Sequence, residues 1–82
     1  MIHKLVGRRV KLISAKDVFP EGIYEAGETG TISHIDSRMI SVKLDKKHAS
    51  LSHWNNKLHW YDHELEEGAV LMSEFLTQVE LI

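Results

Sequence analysis

The sequence predicts an all-β fold, a five-stranded small barrel with a long first loop, on three observations. Residues 39–45, "MISVKLD", alternate with period two, setting Ile40, Val42 and Leu44 on one face against Met39, Ser41, Lys43 and Asp45. β-Branched residues are spread evenly along the chain and the short apolar runs are bounded by turn-forming residues, which speaks against a helical bundle. With 82 residues, 43% of them hydrophobic and 27% charged, the chain suits one domain over 1–82, without room for a second core.

The elements follow in order. "GRRVKLIS", residues 7–14, reads as a first strand, with Val10 and Leu12 on one face and Arg9 and Lys11 on the other. Residues 15–30 form a long connection, either an irregular hairpin or a binding loop, holding Pro20 and three of the five glycines, with Phe19, Ile23 and Tyr24 as apolar anchors. "TISHID", residues 31–36, and residues 39–45 make two strands joined at Asp36-Ser37-Arg38. Gly30 stands just before the pair, where the backbone needs positive φ or close approach.

A fourth strand is expected in "HWNNKLHW", with Trp54, Asn56, Leu58 and Trp60 on the inner side and Asn55, Lys57, His59 and Tyr61 on the outer. Residues 62–75 show no alternation. They read as an acidic loop or short helical turn before the last strand, with Leu65, Val70, Leu71 and Phe75 as its apolar residues. "LTQVELI", residues 76–82, closes the sheet, pairing Val79 and Leu81 on one face.

Charge divides the chain. Residues 1–61 carry all ten Lys/Arg against six acids, a net of +4, whereas residues 62–82 carry six acids and no base. Either the acidic third folds back on a basic body, or a basic face stays open for nucleic acid. No run of cations exceeds the pairs Arg8–Arg9 and Lys46–Lys47, which weakens the second reading. The absence of cysteine excludes disulfides, a thiolate nucleophile and a cysteine zinc site, and fits a cytoplasmic protein. The opening "MIHKLVGRRVKLIS" has no unbroken apolar run, so neither signal peptide nor membrane span is expected.

Strand, long loop, meander and closing strand is the order of an SH3-like barrel. "GRRVKLIS…EAGETGTISHID" resembles the opening half of that family at Gly7, Val10, Leu12, Gly27, Gly30 and Ile32. The second half, "HWNNKLHWYDHEL…EFLTQVELI", is similar to small uncharacterised bacterial proteins of mobile elements such as phages and integron gene cassettes. The match there runs through Trp54, Asn55, Asn56, Leu58, Trp60, Phe75, Val79 and Glu80. The resemblance covers roughly residues 7–82 and implies a fold, with no activity attached.

His59 and His63 are four apart, with His53, Glu64 and Glu66 close in sequence, but a strand gives that spacing no common face, so no metal and no cofactor are expected. Asp62, Glu64, Glu66 and Glu67 read as a solvated loop rather than an acid–base pair. Ser50, Ser52 and His53 lack the geometry of a nucleophile and its base. No catalytic residue is assigned and no enzyme is expected.

Two binding readings remain. In the first, the chain is a non-enzymatic adaptor that touches an unknown protein partner through Phe19, Ile23, Tyr24, Met39 and Tyr61. The 15–29 loop either meets that partner, as the resemblance implies, or packs on its own barrel. Ile13, Met39 and Tyr61 would make an outer apolar patch or a homodimer surface. In the alternative, a nucleic acid lies on a basic sheet face of Arg8, Arg9, Lys11, Lys43 and Lys57, with aromatic rings to stack on. Gly30, Trp54, Asn56, Leu58, Trp60 and Phe75 are assigned structural roles, the two tryptophans as core and Asn56 as an anchor of loop backbone. Burial of Tyr24 and Phe19 beneath a basic, aromatic outer sheet would favour nucleic acid over the adaptor.

Overall fold

The computed structural model describes residues 3–18 and 22–82, and Phe19 lies outside them. The fold is mostly β, with antiparallel strands β1 (Arg9–Leu12), β2 (Lys16–Val18), β3 (Gly22–Tyr24), β4 (Thr29–Ile35), β5 (Met39–Leu44), β6 (Lys57–Tyr61) and β7 (Val79–Leu81). A 3-10 turn spans Ala49–Trp54, another spans Asp62–Glu64, and the helix α1 covers Leu71–Gln78. The main sheet has the order β6-β5-β4-β1-β7, while β2 and β3 pair as a separate hairpin. No ladder joins β6 to β7 among the described residues, so the sheet is open where a closed barrel was expected. Helix α1 lies between those ends of the sheet and packs against β5, β6 and β7.

Alternation sets the two faces of this sheet. Val10, Leu12, Ile32, Ile40, Val42, Leu44, Leu58 and Trp60 turn inward and are buried. Leu71 and Phe75, four apart on α1, cover them from the other side. Phe75 meets Trp60 edge-on at 4.9 Å, and the Trp60 indole N–H donates to Gln78 Oε1 at 2.9 Å. The helix therefore comes from the Leu71–Phe75 spacing and the contact it makes. It extends the expected short turn to residue 78 and trims the closing strand to 79–81.

The expected 15–30 loop is largely folded. Its β2–β3 hairpin is held down by Tyr24, 2% exposed, whose hydroxyl lies 2.8 Å from Ser50 Oγ and whose ring meets His48 edge-on. Glu28 binds His48 Nε2 at 2.7 Å in the same cluster, which ties the hairpin to the turn before β6. Gly30 is needed for close approach, its φ not being positive. A Cβ there would stand 2.5 Å from Lys43 O and 2.8 Å from Val42 Cγ1.

The largest departure from expectation falls at residues 53–56. The fourth strand begins at Lys57, because Asn55 (φ 54°) and Asn56 (φ 60°) adopt left-handed conformations that no strand continues through. Asn tolerates this region better than other side-chain-bearing residues. The buried Asn56 amide donates to Leu44 O and Lys46 O, each at 2.9 Å, and its Oδ1 accepts from the His48 N–H at 2.9 Å. Three loop backbone groups are thereby satisfied by one side chain.

Candidate nucleic-acid interface

On the outer face of the sheet the register builds rows across the strands. Arg9, Thr31, Lys43 and Lys57 form one row, and His34, Ser41 and His59 the next. The third row pairs Met39 with Tyr61. Between the first two, β4 is bulged at Ser33, where the register shifts between Ile32 and His34.

Aromatic rings line the β6 end of this face. Trp54 meets His59 at 5.8 Å, His59 meets Tyr61 at 5.9 Å, and Tyr61 meets His63 at 5.1 Å, the last two rings tilted by 33° and 31° from their neighbours. Trp54 is 46% exposed, which corrects its assignment to the core. The cause is the left-handed pair Asn55–Asn56, which resets the side-chain alternation so that Trp54, at the end of a 3-10 turn, does not share the face of Leu58 and Trp60.

Beside these rings stand two lysines. Lys43 is directly opposite Lys57, and neither has an ion-pair partner among the described residues. The Leu44 N–H donates to Asn56 O and the Asp62 N–H to Arg38 O, which fixes the alternation of the β5–β6 ladder. By that alternation the two lysines occupy a non-hydrogen-bonded pair, the type whose side chains approach closest. Like charges so placed oppose folding and favour an anion between them.

The other cations are differently placed. Arg9 makes a two-pronged pair with Asp45 at 2.7 and 2.5 Å and also donates to Thr31, so its charge is spent within the sheet. That bond raises the Arg9 pKa and holds Asp45 far below the usual carboxylate range, helped by Thr29. Lys11 stands opposite Glu80, and Arg8 is exposed just before β1. At the β4–β5 turn, Asp36 is lowered to about 2 by His34 Nε2 and by the Arg38 and Met39 amides that donate to it.

Lys16 sits on the inner side of β6, its ammonium 4.4 Å from the centre of the Trp60 ring. Burial lowers its pKa, against an opposing pull from Glu64. His59 is lowered first by burial and then by Lys57, Lys16 and His34, and its Nδ1 lies 2.7 Å from Ser41 Oγ.

The adaptor surface comes apart in the structure. Tyr24 is buried, which corrects its assignment to a loop binding surface, because the hairpin folds over Ser50 and His48. Ile23 is 61% exposed on the same hairpin, and Met39 and Tyr61 form a partly buried pair on the sheet. Ile13 follows the opposite end of β1, bonded to Gln78 O, so it does not extend the Met39–Tyr61 patch. Among the described residues no group of three or more His, Cys, Asp or Glu is placed to hold a metal ion, and no helix is long and apolar enough to cross a membrane.

No protein-family model, curated protein or solved structure matches this chain. The aromatic run was partly legible in advance, since His59, Tyr61 and His63 recur with period two. Lys16 carried no local signal; only the fold of the hairpin brings it to Trp60.

Proposed function

We propose that the chain is a non-enzymatic module of SH3-like type that binds single-stranded nucleic acid across the outer face of β5 and β6. The strand order β6-β5-β4-β1-β7, with a hairpin folded from the first long loop, supports the SH3-like reading, as does the resemblance to mobile-element proteins. A cytoplasmic setting accords with such a ligand.

One observation carries the binding proposal: the run Trp54, His59, Tyr61, His63 lies beside Lys43 and Lys57, which oppose each other and have no ion-pair partner among the described residues. Rings receive base faces without regard to sequence, and paired cations receive the phosphates that link the bases. Burial of Tyr24 removes from the adaptor reading one of its anchors.

A protein ligand is the second reading, favoured by the open edge of β6. In the β5–β6 ladder the backbone groups of Lys57 and His59 turn away from β5, and no other described residue bonds them, whereas the Tyr61 carbonyl caps the 3-10 turn that follows. An extended partner segment, or β6 of a second copy, would add there as a strand.

The test follows the two indole N–H signals by NMR while short single-stranded RNA and DNA are added at low salt. The Trp54 signal is expected to shift and the Trp60 signal, bonded to Gln78, to stay. Trp54→Ala and Tyr61→Ala should each weaken binding by about 1–3 kcal/mol. Lys43→Ala should reduce the salt dependence by about one counterion. A Trp54 signal that never moves at low salt refutes the proposal and leaves strand addition at β6.

A further inference from the structure

Between β2 and β6 lies a cleft of about 440 Å3, within the roughly 300–1,000 Å3 of pockets that take small molecules. Its lining is of four chemical kinds. Leu51, Leu58 and Val18 are apolar, and Trp54 and Tyr61 present rings. Lys16 and Lys57 add cations, while Asp17 and Glu64 add carboxylates. The outward backbone groups of Lys57 and His59 belong to the edge of β6 that β5 leaves free.

Resting on the nucleic-acid reading, we propose that this cleft is a base pocket. It takes one unstacked base that carries an exocyclic amino group, adenine, cytosine or guanine, from a strand whose neighbouring bases lie on the outer rings. A base is flat and apolar on its faces, which suits Trp54 and Tyr61, and polar along its edge, which suits the open backbone of β6. The Glu64 carboxylate then sets the preference. It accepts from both hydrogens of an amino group, whereas uracil and thymine offer it one N3–H set between two carbonyl oxygens that it repels. Lys57 neutralises the phosphate of the captured nucleotide, and Lys43, opposite Lys57, carries the path on to the outer face, while Lys16 stays against the Trp60 ring at the floor of the cleft.

The experiment compares short rA, rC and rU homopolymers by fluorescence anisotropy, on the wild-type chain and on Glu64→Gln. Wild type should bind rA and rC about tenfold more tightly than rU, the low end for one good polar pairing. Glu64 is exposed, so its substitution leaves the fold alone, and a glutamine amide can donate to a uracil carbonyl. Glu64→Gln should therefore bring the ratio toward one while rU affinity holds or rises. If all three polymers bind equally to wild type, the cleft is no base pocket although the outer face binds nucleic acid. If none binds at low salt, the nucleic-acid reading falls with it.

Discussion

Trp54 and Trp60 lie six positions apart, and an unbroken strand would have put both on the same side. One is 46% exposed beside His59; the other is 5% exposed, held between the Phe75 ring and the Lys16 ammonium. The side chains are identical, so the difference lies in the two left-handed asparagines between them. Counting positions works within a strand and fails across a turn. At this point the failure is what puts a large aromatic ring on the surface.

The widest separation between the two tryptophans should appear in stability. Trp60→Ala removes a ring packed on Phe75 and is expected to cost about 3–5 kcal/mol by urea denaturation. Trp54→Ala should stay within about 0.5 kcal/mol of wild type in stability while weakening nucleic-acid binding by about 1–3 kcal/mol. Equal losses from the two substitutions would erase the distinction.

The asparagines sharpen the same contrast. Asn56→Ala strands the Leu44 and Lys46 carbonyls and the His48 amide, and should cost about 2 kcal/mol or more. Asn55→Gly keeps a residue at ease with positive φ and should change stability by less than about 1 kcal/mol. Similar midpoints for both variants would mean that backbone conformation, not the Asn56 amide, holds the turn.

A control away from the turn is Gly30→Ala. The added Cβ meets the Lys43 carbonyl, and the strain of forcing β4 from β5 should cost about 1–3 kcal/mol. A neutral result would show that the ladder can shift there.

The smallest effect is a pH slope on the outer face. Burial holds the folded His59 below its ordinary value of 6.5, so as the pH falls past 6.5 the unfolded chain takes up a proton first. The His59 contribution is fully present above pH 6.5 and is lost as the pH falls through the folded value. Imidazole NMR signals should place the His59 midpoint under 6.5, and His59→Gln should flatten the stability profile in that window. A midpoint above 6.5 would mean that the outer face is more open, or more acidic, than its packing implies.

The meander was the most legible part of the fold. Ile40, Val42 and Leu44 alternate as they pack, and Leu58 and Trp60 continue the inner face across β6. Strands β2 and β3 were legible only as one of two alternatives, a hairpin or a binding loop, because three residues each carry too little pattern; what fixes them is Tyr24 against Ser50 and His48, a tertiary contact. Helix α1 was only half visible. Leu71 and Phe75 mark one helical face, but the following Val79 and Leu81 resume the strand pattern at once. Of the interface, Lys43 and Lys57 were legible as outward cations, whereas their being opposite each other needed the register. The surface position of Trp54 and the approach of Lys16 to Trp60 depend on turns whose geometry no local alternation encodes.

Strand β1 pairs with β7, Val10 opposite Leu81 and Leu12 opposite Val79. During synthesis the first strand is therefore made long before its last neighbour leaves the ribosome. Until residues 79–81 emerge, one side of β1 is a bare edge beside two large aliphatic side chains, able to recruit strands from other nascent chains. The native sheet is finished only after this stretch has been translated. A message broken or stalled short of codon 79 yields an aggregation-prone fragment rather than a smaller version of the fold.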